Sequence, residues 1–176
     1  MTPDDRKLIL SLVVVPGRPF TGDKEDVLRH FGVADGSKLG LDLLRDAISR
    51  QDAVDVEMAL IVTSNFGVTP EFLGPLVQLC LADWHTTHED VVAVLGQLRE
   101  PTAVPALYEA TQFIPEYLEY DDSRALARKA IWAIGGTPGR EAEQALLRLT
   151  DSDDEILCDE AARQLERRRR SRERLV

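Results

Sequence analysis

Apolar residues recur along this chain at the spacing of an amphipathic helix, in one segment after another. Residues 91–98 place their apolar side chains on one helical stripe, and the same stripe returns in the segments 126–134 and 142–149. After residue 35 no segment shows the two-residue alternation of a half-buried strand. The pattern therefore predicts an all-α fold.

Proline and short polar motifs mark where these helices begin. Three prolines are expected at a first helical position, where the missing N–H costs nothing. They are Pro70, Pro101 and Pro138. The spacing of Thr86 with Glu89, and of Ser152 with Glu155, predicts two capping boxes. Together the marks predict helices over 37–51, 53–66, 70–82, 87–99, 101–113, 122–135, 138–150 and 154–170.

The predicted helices fall into pairs. Gly67, Gly96 and Gly135 each end a second helix, and the proline-started helix of the next pair follows within a few residues. One pair buries its apolar face only against its neighbours, so we expect a stacked array. The expected domains are an N-terminal capping segment over 1–35, a helical array over 36–170 with pairs near 37–66, 70–99, 101–135 and 138–170, and a basic tail over 171–176.

The capping segment is the least regular part of the pattern. The run from Leu8 to Val15 contains three consecutive valines, which favour a strand, whereas Asp4 and Asp5 before it suit the first turn of a helix. We favour the helix because everything downstream is helical. A second short helix is expected over 23–31.

Two stretches resemble the bacterial type of HEAT repeat that is also called the HEAT-like lyase repeat. They are EPTAVPAL at 100–107 and DDSRALARKAIWAIG at 121–135. In that family the first helix carries AVPAL, and the second begins after an aspartate and ends in ALG. The resemblance covers roughly 37–167 and implies a right-handed α-α superhelix of about four helical pairs that is used for binding. The chain departs from the family in the long loop before Asp121 and at 139–143, which replaces AVPAL.

The charge of the chain narrows the class of partner. The net charge is −10, but residues 163–176 carry +5 and residues 1–162 carry −15. An acidic body repels nucleic-acid phosphates and favours encounters with basic proteins. We therefore expect a protein partner of basic character and do not expect nucleic-acid binding.

Other features predict a monomeric cytoplasmic bacterial protein without a cofactor. Cys80 and Cys158 are each flanked by apolar helical pattern, which is typical of buried free thiols. The first residues are acidic where a signal peptide needs positive charge, and the run Leu8 to Val15 is too short to cross a bilayer. The glycines of 135–139 follow no strand, so they favour a turn between helices over a phosphate loop.

The segment 83–90 is where potential metal ligands crowd. The spacing H-x-x-H places His85 and His88 beside Glu89, which would suit zinc in a lyase-like or metal-dependent enzyme. The competing interpretation makes Glu89 part of a cap, and Trp84 and His85 an anchor of the turn. We expect no metal and no enzymatic activity, and keep the enzyme as the alternative.

The inserted loop 115–122 is the strongest binding candidate. It alternates acids with tyrosines, as a hot spot for a basic partner would, although a solvated loop explains the pattern equally well. Arg128 lies four residues before Trp132 on the next helix, so one interpretation is a cation–π contact between them, and the other is a core contact of Trp132 with the next pair. The candidate partner-binding residues are Trp84, His85, Glu116, Tyr117, Glu119, Tyr120, Asp121, Asp122, Arg124, Arg128 and Trp132. An immunity or antitoxin role is compatible with this set, since carboxylates could cover the basic cleft of a toxin.

Overall fold

The computed structural model describes residues 1–14, 16–17 and 22–173, and within these ranges the regular structure is helical, with no strand. The predicted all-α class is therefore confirmed. The α-helices are α1 Pro3–Leu10, α2 Lys24–Phe31, α3 Gly36–Arg50, α4 Ala53–Phe66, α5 Leu73–Leu79, α6 His88–Leu98, α7 Val104–Gln112, α8 Ala125–Gly136, α9 Arg140–Leu149 and α10 Glu155–Glu173. Short 3₁₀ helices lie at Pro70–Phe72, Pro101–Ala103 and Glu116–Leu118.

The chain forms two compact units, Met1–Pro75 and Leu76–Val176, which meet in sequence inside α5. The division into cap, array and tail that the sequence suggests stays a prediction. Residues 15, 18–21 and 174–176, which include parts of the predicted break after α1 and of the predicted tail, lie outside the described residues.

The first unit packs α1 and α2 against the pair α3 and α4. Thr2 caps α1 in a reciprocal box with Asp5. Of the run Leu8 to Val15, for which the sequence favours a helix, α1 includes only Leu8–Leu10, and Val13 and Val14 lie beyond its end. The core is lined by aliphatic side chains of all four helices. Its buried members, which include Leu12 just after α1, are Ile9, Leu12, Val27, Leu39, Met58 and Val62.

Two glycines let α3 and α4 approach closely. A Cβ added at Gly40 would lie 2.8 Å from Oγ1 of Thr63, and one added at Gly36 would overlap the ring of Phe66. Both glycines lie on the same face of α3, one turn apart. At both positions the backbone of α3 therefore lies close to side chains of α4. The sequence G-x-x-x-G at 36–40 thus has a packing role in the first unit.

Asp55 is a buried carboxylate that joins α1, α3 and α4. It accepts hydrogen bonds from the amino group of Met1 at 2.6 Å, from Arg50 at 2.6 Å and from Nε of Arg6 at 2.8 Å. Burial alone would raise the pKa of Asp55, but these donors outweigh it and lower the pKa to about 2. The carboxylate is therefore charged at neutral pH.

In the second unit, α8 lies in the middle of the helices. It contacts α7 along the chain before it and α9 after it, and it also packs against α6 and α10. Close approaches support this order, because a Cβ added at Gly96 of α6 would lie 2.8 Å from Cβ of Ala133. A Cβ added at Gly135 of α8 would lie 2.5 Å from Oε1 of Gln164 on α10.

The predicted capping boxes are both wrong. Helix α6 begins at His88, and its N-cap is Thr87 rather than Thr86. Helix α10 begins at Glu155, and the Asp154 carboxylate, not Ser152, accepts from the Ile156 amide at 2.9 Å. The S/T-x-x-E spacing fits more than one register, and neighbouring contacts decide which residue caps the helix.

The predicted proline starts are confirmed in two of three places. Pro70 and Pro101 each open a 3₁₀ helix that leads into an α-helix. Pro138 instead precedes Gly139, the N-cap of α9, whose φ of 99° is a backbone conformation that glycine adopts without strain. The extra residue delays α9 to Arg140.

The arginine-rich end of α10 is tied to the second unit. Arg168 donates to the carbonyls of Gly135, Thr137 and Gly139 at 2.5–3.1 Å, and Arg172 pairs with Glu143 at 2.6 Å. The carbonyls of Gly135 and Thr137 lie at the end of α8, where a helix leaves its carbonyls without internal partners. Helix α10 is thus continuous to Glu173, three residues beyond the predicted end at 170.

Candidate functional site

Six of the candidate binding residues line two grooves of the second unit, Trp84, His85, Glu116 and Tyr117 the first, and Arg128 and Trp132 the second. The first, here the turn groove, has a volume of about 730 Å³ and lies between the turn before α6 and the loop after α7. It is lined by residues 83–86 and 113–117. The second, here the Trp132 groove, has a volume of about 460 Å³ and lies along α6 and α8. Its lining is Ala93, Gly96, Gln97, Arg128, Lys129, Trp132, Ala133 and Gly136.

His85 holds the turn that forms one wall of the turn groove. Its side chain is buried, and Nε2 donates to the Leu79 carbonyl at 2.8 Å. Nδ1 accepts from the Thr87 amide at 3.1 Å, which assigns the neutral tautomer with its proton on Nε2. Burial lowers the pKa of His85, so the ring is neutral at pH 7. The edge of Trp84 lies against it, with ring centroids 5.3 Å apart.

His88 connects the same turn to the inserted loop. Its Nε2 donates to the Ala82 carbonyl at 2.8 Å, and its Nδ1 accepts from the Tyr117 hydroxyl at 3.0 Å. The ring is stacked between His85, at 4.1 Å between centroids, and Tyr117, at 5.7 Å. Burial, together with the neighbouring His85, lowers the pKa of His88 to about 4.

These bonds leave the alternative metal site without its ligands. All four ring nitrogens of His85 and His88 lie within hydrogen-bond distance of protein partners. The Glu89 carboxylate pairs instead with Lys129 at 2.9 Å. Within the described part of the chain, no group of three or more His, Cys, Asp or Glu side chains is placed to hold a metal ion. The alternative site at His85, His88 and Glu89 is therefore not assembled in this structure.

The inserted loop presents some of its acids and uses another internally. Glu116, Glu119 and Asp122 are exposed. Asp121 is not free, because it accepts from the amides of Ser123 at 3.1 Å and Ala125 at 2.6 Å and so caps the start of α8.

The two tyrosines of the loop, and Ile114 just before it, also differ in how far they are exposed. Tyr117 is 41% exposed and is held by His88, whereas Tyr120 is 90% exposed. Ile114, which the sequence analysis did not single out, is 51% exposed and lines the turn groove. It directly follows the helical stripe of α7, so the periodicity gave no reason to separate it from the core.

Arg124 is placed as an internal tie. Its guanidinium donates to Asp154 at 2.8 Å and to the Thr111 carbonyl at 3.1 Å, which joins the end of α7 to the start of α10. The residue adopts a φ of 52°. Its donors are thus engaged within the second unit rather than presented to a partner.

Trp132 lies in the other groove and is 54% exposed. The cation over its ring is Arg167 of α10, at 5.3 Å from the ring centroid, and not Arg128 as the first interpretation expects. Arg128 instead points its Nε toward the Glu160 carboxylate at 3.8 Å. The two residues Trp132 and Arg167 are distant in sequence, and no local spacing could have paired them.

Comparisons with protein families, curated proteins and solved structures find no significant match for this chain. The likeness to HEAT repeats therefore remains a prediction from the two stretches quoted above. In the described residues no helix is both long enough and apolar enough to cross a membrane.

Proposed function

We propose that this chain is a non-enzymatic protein-binding module of the cytoplasm, built as a HEAT-like right-handed superhelix of about four helical pairs with an N-terminal cap. The succession of α6, α8 and α10, each in contact with the next, supports this arrangement within the second unit. The contact of α7 with α9 supports it as well, because first helices of neighbouring pairs also meet in such a stack.

The observation that carries the binding function is the attachment of the inserted loop. The Tyr117 hydroxyl bonds to the buried His88, and this bond holds the loop beside the turn groove. Exposed acids at positions 116, 119 and 122 surround apolar side chains that are also exposed. A loop that is ordered before binding loses less conformational entropy when a partner docks. The site is therefore preorganised for recognition.

The chemistry of the turn groove favours binding over catalysis. Both histidines are neutral and their ring nitrogens already have partners, so neither is poised to take a proton from a substrate. What the groove offers is aromatic surface with carboxylates at its edge. Aromatic side chains dominate protein-binding hot spots, and rim charges steer association.

The partner that fits is a basic protein. Residues 1–162 carry a net charge of −15, and the exposed acids of the loop are part of it. An inhibitor of the immunity or antitoxin type uses this complementarity, since its carboxylates cover a cationic active-site cleft and exclude the substrate.

The experiment compares the wild-type chain with two triple variants that raise the net charge equally. The loop variant carries Glu116→Gln, Glu119→Gln and Asp122→Asn. The control carries Glu141→Gln, Asp151→Asn and Asp153→Asn, which neutralise exposed acids outside the loop. Each protein is used to capture partners by chemical crosslinking from a lysate of the source cells, with identification by mass spectrometry.

We expect wild type and control to capture the same basic protein and the loop variant to lose it. With that partner purified, the loop variant should associate about tenfold more slowly, and its association rate should depend less on salt. Equal association rates and equal salt dependence for all three proteins would exclude the loop as the contact.

A further inference from the structure

The Trp132 groove differs in character from the turn groove. Small residues form its floor, with Ala93 and Gly96 on α6 and Ala133 and Gly136 on α8. The half-exposed indole of Trp132 forms a wall. An apolar slot of about 460 Å³ beside an exposed tryptophan is of the size that takes one or two bulky side chains.

Cations surround this slot, although the chain as a whole is acidic. Arg167 lies over the indole at 5.3 Å, and Arg128 and Lys129 line the groove with about half of each side chain exposed. Arg99 adds a fourth positive charge at the end of α8, where its Nε donates to the Gly136 carbonyl at 2.9 Å. The rim is thus opposite in sign to the inserted loop.

Two carboxylates limit the positive charge at this rim. Lys129 pairs with Glu89 at 2.9 Å, and Arg128 lies 3.8 Å from Glu160. A nucleic-acid backbone, which carries a charge on every phosphate, would be repelled by the partly exposed Glu89 and would find the charge of Arg128 reduced by the buried Glu160. One face of Trp132 is also covered by Arg167, so a base could not stack there without displacing it. A segment with a few carboxylates and an apolar anchor suits the rim better.

We propose that the Trp132 groove binds an acidic peptide segment of another protein, with a bulky apolar side chain in the slot beside Trp132 and carboxylates on Arg128 and Arg167. This inference goes beyond the proposed function, because it assigns a second surface with the opposite charge preference. The chain then bridges two partners, a basic one at the turn groove and an acidic one here.

The first test selects ligands from a phage-displayed library of random 16-residue peptides on the immobilised full chain. We expect two families of peptides, and the family that concerns this groove is acidic with a conserved bulky apolar residue. The acidic family should bind the variant Arg128→Ala, Arg167→Ala at least tenfold more weakly than wild type. Failure to enrich an acidic family, or its equal binding to this variant, overturns the proposal.

A matched control removes two exposed arginines elsewhere in the second unit. The variant Arg140→Ala, Arg148→Ala on α9 changes the net charge by the same amount, and we expect it to bind the acidic peptides as wild type does. The groove variant should still fold, since Glu160 keeps its bonds from Arg163 at 2.9 Å and Gln164 at 3.1 Å. Equal far-UV circular dichroism spectra check this.

The second test reads the groove directly. The chain has two tryptophans, so Trp84→Phe leaves Trp132 as the reporter. Adding the selected acidic peptide should shift the Trp132 emission to shorter wavelength and protect it from acrylamide. An unchanged emission with bound peptide would place the peptide elsewhere and overturn the proposal.

Two other occupants are distinguished with the same reporter. If a second copy of the chain fills the groove, Trp132 becomes protected as the protein alone is concentrated, and the acidic peptide competes for a dimer contact. If a single-stranded oligonucleotide such as a thymidine 15-mer protects Trp132 more strongly than the peptide, the groove is a nucleic-acid site. Either result replaces the proposal. Neither depends on the inserted loop, so the loop variant tests the proposed function separately.

Discussion

At the scale of single residues, the hydroxyl of Tyr117 contributes to stability although the ring of this residue is half exposed. His88 is fully buried, and that hydroxyl is the donor for its Nδ1. The remaining ring contacts between Tyr117 and His88 are stacking contacts, which a phenylalanine would keep. The hydrogen bond can therefore be removed on its own.

Tyr117→Phe is expected to destabilise the chain by about 1 kcal/mol, because it leaves a buried acceptor without its donor. Urea unfolding followed by tryptophan emission measures the change. The matched control is Tyr120→Phe, whose hydroxyl belongs to a side chain that is 90% exposed and which should leave the stability unchanged. A loss of the same size in both variants would contradict the role assigned to the His88 bond.

The sequence identified Trp84, His85 and Tyr117 as candidates, and the structure brings all three to one groove. The sequence did not reveal which hydrogen bonds the polar side chains of this region form. Asp121 and Arg124 are of residue types that are common in exposed recognition loops, yet both side chains form hydrogen bonds within the second unit. Whether a carboxylate of the loop stays exposed depends on the backbone geometry at the ends of the loop, and no single residue type predicts that geometry.

At the scale of helices, glycines differ in what surrounds them. Gly40 lies inside α3, and Gly74 lies in the first turn of α5, both within the first unit. A Cβ at Gly40 would press against Thr63 of α4, whereas one at Gly74 would meet nothing within 4 Å. Tertiary packing therefore decides the sign of a substitution that helix propensity alone would make favourable.

Gly74→Ala is expected to leave the stability unchanged or to raise it by up to about 1 kcal/mol, because the added methyl meets nothing within 4 Å and the alanine restricts the unfolded chain. Gly40→Ala should destabilise it by about 1–3 kcal/mol, because the added methyl overpacks the contact of α3 with α4. Urea unfolding followed by circular dichroism compares the two. A stabilising Gly40→Ala would show that the helices move apart at little cost.

Most helices could be predicted from apolar period and from prolines, because both signals are local and repeated. The caps could not. Thr87 replaces Thr86 at the start of α6, where its amide reaches back to His85, and Asp154 replaces Ser152 at the start of α10. These choices depend on neighbours in space, and a spacing rule that allows two adjacent registers cannot make them.

At the scale of the whole molecule, acid should act on the two units in different pH ranges. The folded pKa of His88 is about 4, below its ordinary value of 6.5, so the unfolded state takes up the proton first. The contribution of His88 to the stability of the second unit is therefore lost as the pH falls from about 6.5 to 4. Asp55 in the first unit has a folded pKa of about 2 against 3.8, so its contribution is lost only below about pH 4.

The aromatic residues allow this difference to be measured. Both tryptophans lie in the second unit, at positions 84 and 132, whereas circular dichroism reports the helices of both units. Between pH 7 and pH 5, the urea midpoint followed by tryptophan emission should fall, and a part of the circular dichroism signal should keep its midpoint. Coincident transitions that do not move over this range would show that His88 is not buried as a neutral ring.

The central place of α8 has a consequence for how the second unit folds. In a linear stack each hairpin touches only its neighbours, and α8 keeps to this rule because it contacts its own partner α7, then α6 before it, and α9 and α10 after it. Each of these four helices therefore loses a packing surface when α8 unwinds. The second unit should therefore unfold as one cooperative block, and its folding nucleus should include α8. A shortened chain that lacks α8 should not form a stable, partly folded state of the remaining helices.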